Sequence, residues 1–180
     1  MILFLDTISL KPKFFLIKKN NIIHSIHILE KKNMKISDEI VPRYNFFEKK
    51  NKFNNKLTKM IVLTGPGSYT GLRLGISFMY GMSAAKKIPL FGVSFINLLN
   101  TLVVKKNFNK TLLVIFSDNN QNFLCIPSNK LKEYFIYKFT DDISSLKIDF
   151  RKYSICVSNN KSSKILKKLF NDINDFIFAD

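Results

Sequence analysis

MIVLTGPGSYTGLRLGISFMYGMSAAKK, Met60 to Lys87, holds five of the chain's six glycines, and the sixth, Gly92, follows just after it. Glycine is needed where the backbone takes positive φ or where another backbone comes close. The demanding geometry of this 180-residue chain is therefore gathered in one place. Met60 to Leu63 is a short apolar run and reads as a buried strand. Thr64, Gly65, Pro66, Gly67 and Ser68 make a turn by composition. Ser68 or Thr70 caps the next helix, an effect worth about 1 kcal/mol. The pattern predicts that helix from about Thr70 to Ala85, with Lys86 and Lys87 suiting its negative end and Pro89 stopping it.

A surface helix shows one apolar stripe. At about 100° per residue this one shows two. Gly71, Gly75, Phe78 and Met82 share one face, and Leu72, Ile76, Met79 and Ser83 form a second. Arg73, Ser77, Tyr80 and Ala84 make the wet side. The glycine face suits close contact with a sheet, which leaves the second for another element. Complete burial within one domain is the other arrangement the pattern allows.

A strand, a Gly-rich turn and a helix N-terminus can hold an anion. The P-loop form needs Lys then Ser or Thr after the last glycine, whereas Gly71 is followed by Leu72 and Arg73. As a family signature the stretch is more specific. GPGSYTGLRLG, Gly65 to Gly75, resembles the GPGSFTGLRIG signature of the TsaB (YeaZ) family, the dimerisation subunit of the bacterial complex that makes threonylcarbamoyladenosine in tRNA. The run Ile88-Pro89-Leu90-Phe91-Gly92-Val93-Ser94 also resembles that family, which continues to a Gly-Val-Ser strand end.

Upstream, Met1 to Ile8 is a β-rich run ending in Asp6-Thr7. Phe14 to Lys18 and Ile22 to Leu29 follow, split by the polar turn Lys19-Asn20-Asn21, and the three predict an antiparallel meander. The order β-β-β-α-β-α-β matches the fold that the resemblance implies. That fold is α/β, actin/Hsp70-like (ASKHA, ribonuclease H-like), with mixed sheets, helices and a reduced second lobe. The expected domains are residues 1–104, with the signature, and a shortened C-terminal lobe, 105–180. ATPases of this fold carry Asp-x-Gly in the first hairpin. Here Asp6-Thr7-Ile8-Ser9 has no glycine, so Asp6 and Thr7 stand either as a degenerate nucleotide site or as a structural turn.

Ser37 is the expected N-cap of a helix carrying Ile40, Val41, Tyr44 and Phe47 at helical spacing. The family has His-Ser-Glu here. Ile36 takes the place of that His, and TsaD, the catalytic paralogue, carries metal-binding histidines on the equivalent helix. The resemblance thus implies no catalytic residue and no metal. His24 and His27, three apart in a strand, point to opposite faces and cannot chelate one ion. Glu48 to Lys59 reads as a solvated loop. Beyond Gly92 the pattern predicts a helix over Phe95 to Val104 and strands over Thr111–Phe116, Phe123–Ile126, Tyr134–Phe139 and Tyr153–Val157. A last helix is predicted near Lys164 to Phe170, opened by Ser162 or Ser163. Asp118-Asn119-Asn120 keeps only the Asp of the family's Asp-Ala-Arg, and Ser158-Asn159-Asn160 stands at a family turn. No repeat is visible at the residue level, although the fold plan implies two related halves.

The net charge is +16, from 29 Lys and Arg against 13 Asp and Glu. That favours an acidic partner, with nucleic acid first. Only Arg43, Arg73 and Arg151 are arginines. Lys, Asn, Ile and Phe are the residues of AT-rich codons, so codon drift also raises the charge, with attraction for tRNA as a by-product. The mean hydropathy near zero fits a globular protein. Cys125 and Cys156 are the only cysteines and no secretory leader precedes the first strand, which fits the cytoplasm. Ile88 to Val104 is uncharged but too short and too interrupted to span a membrane.

The resemblance implies a non-catalytic scaffold. It would pair with TsaD, which transfers threonylcarbamoyl to N6 of adenosine 37 in tRNAs reading ANN codons. The TsaE ATPase joins them, tRNA is met indirectly or weakly, and ATP or ADP binds only at the complex junction. A homodimer through the same helices is expected without TsaD. The expected interface is Tyr44, Phe47, Leu72, Arg73, Ile76, Met79, Tyr80 and Ser83, beside the signature loop of Gly65, Pro66, Gly67, Ser68, Thr70 and Gly71. The alternatives are a stand-alone nucleotide-binding enzyme of the same fold and a basic tRNA-binding module, for which Lys132, Tyr134, Phe135, Tyr137 and Lys138 are the nearest surface.

Overall fold

The computed structural model describes residues 1–31, 33–103, 108–116, 122–128, 133–140, 143, 146, 148–158 and 176–179. The chain divides into two units, Met1–Ser94 and Phe95–Asp180.

In the first unit the order is β1 (Ile2–Asp6), β2 (Lys13–Lys18), β3 (Asn21–His27), α1 (Ile36–Asn51), β4 (Lys59–Leu63), α2 (Tyr69–Lys86) and β5 (Leu90–Val93). The sheet runs β3-β2-β1-β4-β5. β1, β2 and β3 are the predicted antiparallel meander, and β4 and β5 add parallel to β1 and to each other. Alternate residues of the strands build the core: Leu3 and Leu5, Phe14 and Leu16, Met60 and Val62. Against them lie Ile40, Tyr44 and Phe47 of α1 and Met79 of α2. The rings of Phe14, Tyr44, Phe47, Phe53 and Phe78 meet edge-on, tilted or stacked, at centroid separations of 5.3 to 6.5 Å.

Two local expectations change. The helix α1 starts at Ile36 with Lys35 as an N-cap that makes no side-chain hydrogen bond, and Ser37 instead bonds Asp38. The stretch Glu48 to Lys59 is not a solvated loop. It completes α1, makes a 3₁₀ turn at Asn54–Lys56 and buries Phe53 and Leu57. Phe53 packs on Tyr44 and Phe47, and that apolar contact outweighs the charges around it in sequence.

The second unit holds α3 (Phe95–Val103), β6 (Thr111–Ile115), β7 (Asn122–Pro127), β8 (Tyr134–Phe139), β9 (Ser154–Ser158) and β10 (Phe176–Ala179). The helix α3, placed at the end of the first domain by sequence, packs with β6 and β9. The sheet order is β10-β9-β6-β7-β8. Taken strand by strand this is the wiring of the first sheet: an antiparallel meander of β6, β7 and β8, then β9 parallel to β6 and β10 parallel to β9. The two related halves implied by the fold plan are thus present in the strand order. β6 is central and buried at every residue, as its unbroken apolar run predicts. Between β8 and β9, where the first unit has α1, the only helical piece among the described residues is a 3₁₀ turn at Phe150–Lys152. The sequence reading has no strand at Phe176–Ala179. The predicted helix near Lys164–Phe170 with Ser162 and Ser163, and the turns at Asp118–Asn120 and Asn159–Asn160, lie outside the described residues, as do Lys132 and Val104.

Candidate protein interface

The loop between β4 and α2 is pressed against the end of β1. Gly65 has φ +92°, Pro66 is half-buried and Gly67 is buried beside Ile8. The Ser94 hydroxyl donates to the Gly65 carbonyl at 3.4 Å. Ser68, not Thr70, is the N-cap, since its hydroxyl accepts the Gly71 N–H at 3.3 Å. Thr70 stays exposed in the first turn.

The first helical turns then pass over Thr7. Its hydroxyl donates to the Gly71 carbonyl at 2.7 Å. A Cβ on Gly71 would lie 2.1 Å from the Thr7 carbonyl oxygen, and one on Gly75 would lie 2.3 Å from Thr7 Oγ1. Only glycine lets the helix come this near. The Asp6 carboxylate accepts the N–H groups of Ile8 at 2.9 Å and Ser9 at 3.0 Å. Thr7 fills the gap to the helix and is 1% exposed. Asp6 and Thr7 therefore have a structural part in this junction: one closes the hairpin, the other seats α2.

With its glycine face down, α2 exposes the opposite side. Tyr69 is 68% exposed, Ile76 39% and Tyr80 69%, with Arg73 exposed between them. These stand at i, i+4, i+7 and i+11, a single ridge along the helix. The Arg73 guanidinium lies 5.5 Å from the centre of the Tyr69 ring, a cation–π pair. Leu72 and Ser83 are half-buried at its flank, and the Ser83 hydroxyl donates to the Ile88 carbonyl at 2.6 Å.

Three residues expected on this surface are not there. Met79 is 0% exposed, Tyr44 5% and Phe47 2%, all within the core. The close seat of Gly71 and Gly75 draws Met79, next on that side, down onto the sheet. Tyr44 and Phe47 close the ring cluster over Phe14. The Tyr44 hydroxyl donates to Asn54, and burial, with Glu48 second, pushes its pKa up to about 12. Exposed apolar residues that sequence reasoning missed are Tyr69 in α2 and Val41 and Phe46 in α1, 49% and 55% exposed. Tyr69 stands four before Arg73 and seven before Ile76, a spacing that could have found it once Ser68 was fixed as the cap.

Both histidines are exposed on β3. Among the described residues no group of three His, Cys, Asp or Glu could hold a metal ion. Cys125 is buried, and desolvation pushes its thiol up to about 12. No described helix is long and apolar enough to cross a membrane.

The family model for TsaD, tRNA N6-adenosine threonylcarbamoyltransferase, matches residues 37–147, from α1 past β8. The tRNA threonylcarbamoyladenosine biosynthesis protein TsaB of Buchnera aphidicola subsp. Schizaphis graminum (strain Sg) is 38% identical over 50 residues, 28% of this chain and 24% of the relative. The chain belongs to this family. The match to the Buchnera TsaB thus spans about a quarter of that relative's length. Two solved structures share the fold: YeaZ from Pseudomonas aeruginosa, and an uncharacterized protein with similarity to peptidase YeaZ from the same species. They superpose with TM-scores of 0.65 at 12% and 13% identity, covering 99% of this chain and 84% and 82% of theirs. The two mixed sheets are those of the ASKHA-type fold.

Proposed function

We propose that the chain is a non-catalytic dimerisation subunit in tRNA threonylcarbamoyladenosine synthesis, docking TsaD through the exposed ridge of α2. The observation that carries this is the ridge itself. A helix locked from below by Thr7 and two glycines presents Tyr69, Arg73, Ile76 and Tyr80 as a rigid row with an aromatic ring at each end. Tyrosine and arginine are the residues that anchor interfaces. Each large side chain fully buried there contributes about 1.5–3 kcal/mol. Val41 and Phe46 of α1 are further apolar contacts open to a partner.

The supports for a non-catalytic role are local. The helix α1 opens on Ile36, not a histidine, and the Cys125 thiol is held protonated by burial. In this reading TsaE joins the pair, nucleotide sits only at the complex junction, tRNA is met indirectly, and the site of action is the cytoplasm. Without TsaD the same ridge pairs two copies.

The test is co-expression with the TsaD of the same genome, followed by gel filtration. A one-to-one complex is expected, broken by Ile76→Glu or Tyr80→Glu while the circular dichroism of the variant stays that of the parent. A complex that survives both substitutions refutes the interface. ATP turnover by the isolated chain, absent from an Asp6→Asn control, refutes the non-catalytic assignment.

A further inference from the structure

The sheet of the first unit has a second face. Leu3, Leu5, Phe14, Leu16, Met60 and Val62 point to the helices, so the residues between them point the other way. The strand register lines these up. Phe91, Ile61, Phe4, Phe15 and Ser25 form one row across all five strands. A parallel row, two residues or about 7 Å away, runs Lys59, Ile2, Ile17 and Ile22. The row on the other side holds Asp6, Lys13 and His27. At about 4.8 Å between strands the aromatic row from Phe91 to Phe15 is roughly 14 Å long.

An aromatic row with a lysine on each side is a specific chemical surface. Phe91 is 49% exposed, Phe4 and Phe15 are half-buried, and their two rings lie 5.6 Å apart. The Lys59 ammonium stands 5.9 Å from the Phe91 ring centre, and the Lys13 ammonium 5.9 Å from that of Phe15. Among the described residues no carboxylate pairs with either lysine. The one acid in these rows, Asp6, turns an oxygen to its own loop. His27 has its pKa lowered by burial first, then by the positive charges of Lys13 and Lys11. The position of these lysines over ring faces, rather than their number in the sequence, sets the partner's chemistry: flat apolar groups joined by negative charges.

We propose that this sheet face is a platform for a short single-stranded nucleic acid. Its bases stack on Phe91, Phe15 and Phe4 while Lys59 and Lys13 take its phosphates. Stacking needs unpaired bases, so a duplex does not fit. The proposal goes beyond the α2 reading and uses none of its residues.

The test is fluorescence anisotropy of the full chain with labelled oligouridylate and oligothymidylate of about eight nucleotides, and with a duplex of matched length, across a salt series. The single strands are expected to bind more tightly than the duplex, and a preference between them names RNA or DNA as the source. Phe91→Ala should weaken binding about fivefold or more. Lys59→Gln and Lys13→Gln should each flatten the log–log salt slope by about 0.7. Lys49→Gln, exposed on α1, should change neither. Equal binding of duplex, an equal effect of Lys49→Gln, or no binding at low salt overturns the proposal. So does a Phe91→Ala chain that loses TsaD while the parent ignores nucleic acid, because the face is then a protein interface.

Discussion

Gly75→Ala tests how α2 is seated. A Cβ at this position lies 2.3 Å from Thr7 Oγ1, 3.1 Å from its Cγ2 and 3.2 Å from its Cβ. Carbon atoms prefer about 3.5–4.0 Å, so helix or threonine must yield by roughly 1 Å. Thr7 cannot swing aside freely, because it is buried and its hydroxyl is bonded to the Gly71 carbonyl. Overpacking costs about 1–3 kcal/mol and the lost hydrogen bond about 1 kcal/mol. The gain from replacing a mid-helix glycine, about 1 kcal/mol, offsets part of this. The net loss is about 1–3 kcal/mol, or a fall in Tm of roughly 5–20 °C for a unit of this size. Thr7→Ala removes the two nearest atoms. In that background Gly75→Ala should be neutral or stabilising, giving a coupling of about 1–3 kcal/mol in a double-mutant cycle. Gly71→Ala meets the Thr7 carbonyl oxygen, which every residue carries, so Thr7→Ala should not rescue it. Thermal unfolding followed by circular dichroism reads all five variants. A Gly75→Ala protein as stable as the parent, or equal rescue at both glycines, would show that the helix is not seated on Thr7.

Met79→Ala should cost about 2–5 kcal/mol in denaturant unfolding, whereas Tyr80→Ala should stay within about 0.5 kcal/mol, because one is core and the other ridge. Proton NMR should find His27 titrating below its ordinary value of 6.5, and Lys13→Gln should move it upward. The folded state thus resists protonating His27 more than the unfolded chain does. Its effect on stability is nil well above pH 6.5 and becomes a loss as pH falls through 6.5 toward the lower folded value, which denaturant melts across that window will read. The Cys125 thiol should react with a disulfide reagent at pH 8 only after unfolding. Tyr44 should be missing from a spectrophotometric tyrosine titration until about pH 12.

Much of the first unit was legible because its signals are local. The turn Lys19-Asn20-Asn21 separates two β-rich runs, and the structure puts Lys19 and Asn20 at positive φ in that turn. Ser68 and Lys87 bracket α2 much as capping chemistry predicts. The exposed face of α2, the candidate interface, was only half legible. A helical wheel finds two apolar faces on α2 but cannot say how deeply the glycine face sinks, and that depth decides whether Met79 is core or surface. Tyr44 and Phe47 were misplaced because their partners, Phe14 and Phe53, are distant in sequence or hidden among charges. Phe176-Ile177-Phe178 went unread as a strand because a ladder partner in β9 is what makes it one.

Each sheet takes its five strands from one unbroken stretch of chain. Synthesis from the N-terminus therefore supplies every strand of the first sheet before any strand of the second, and the first half carries all the partners of its own hydrogen-bond ladder. It is then left with two open edges, β3 and β5. The register shift in the pairing of β2 with β3 makes the first an irregular template for another chain, and the brevity of β5 limits the second. The contiguity of each sheet in sequence means that neither half needs a strand from the other to complete its ladder.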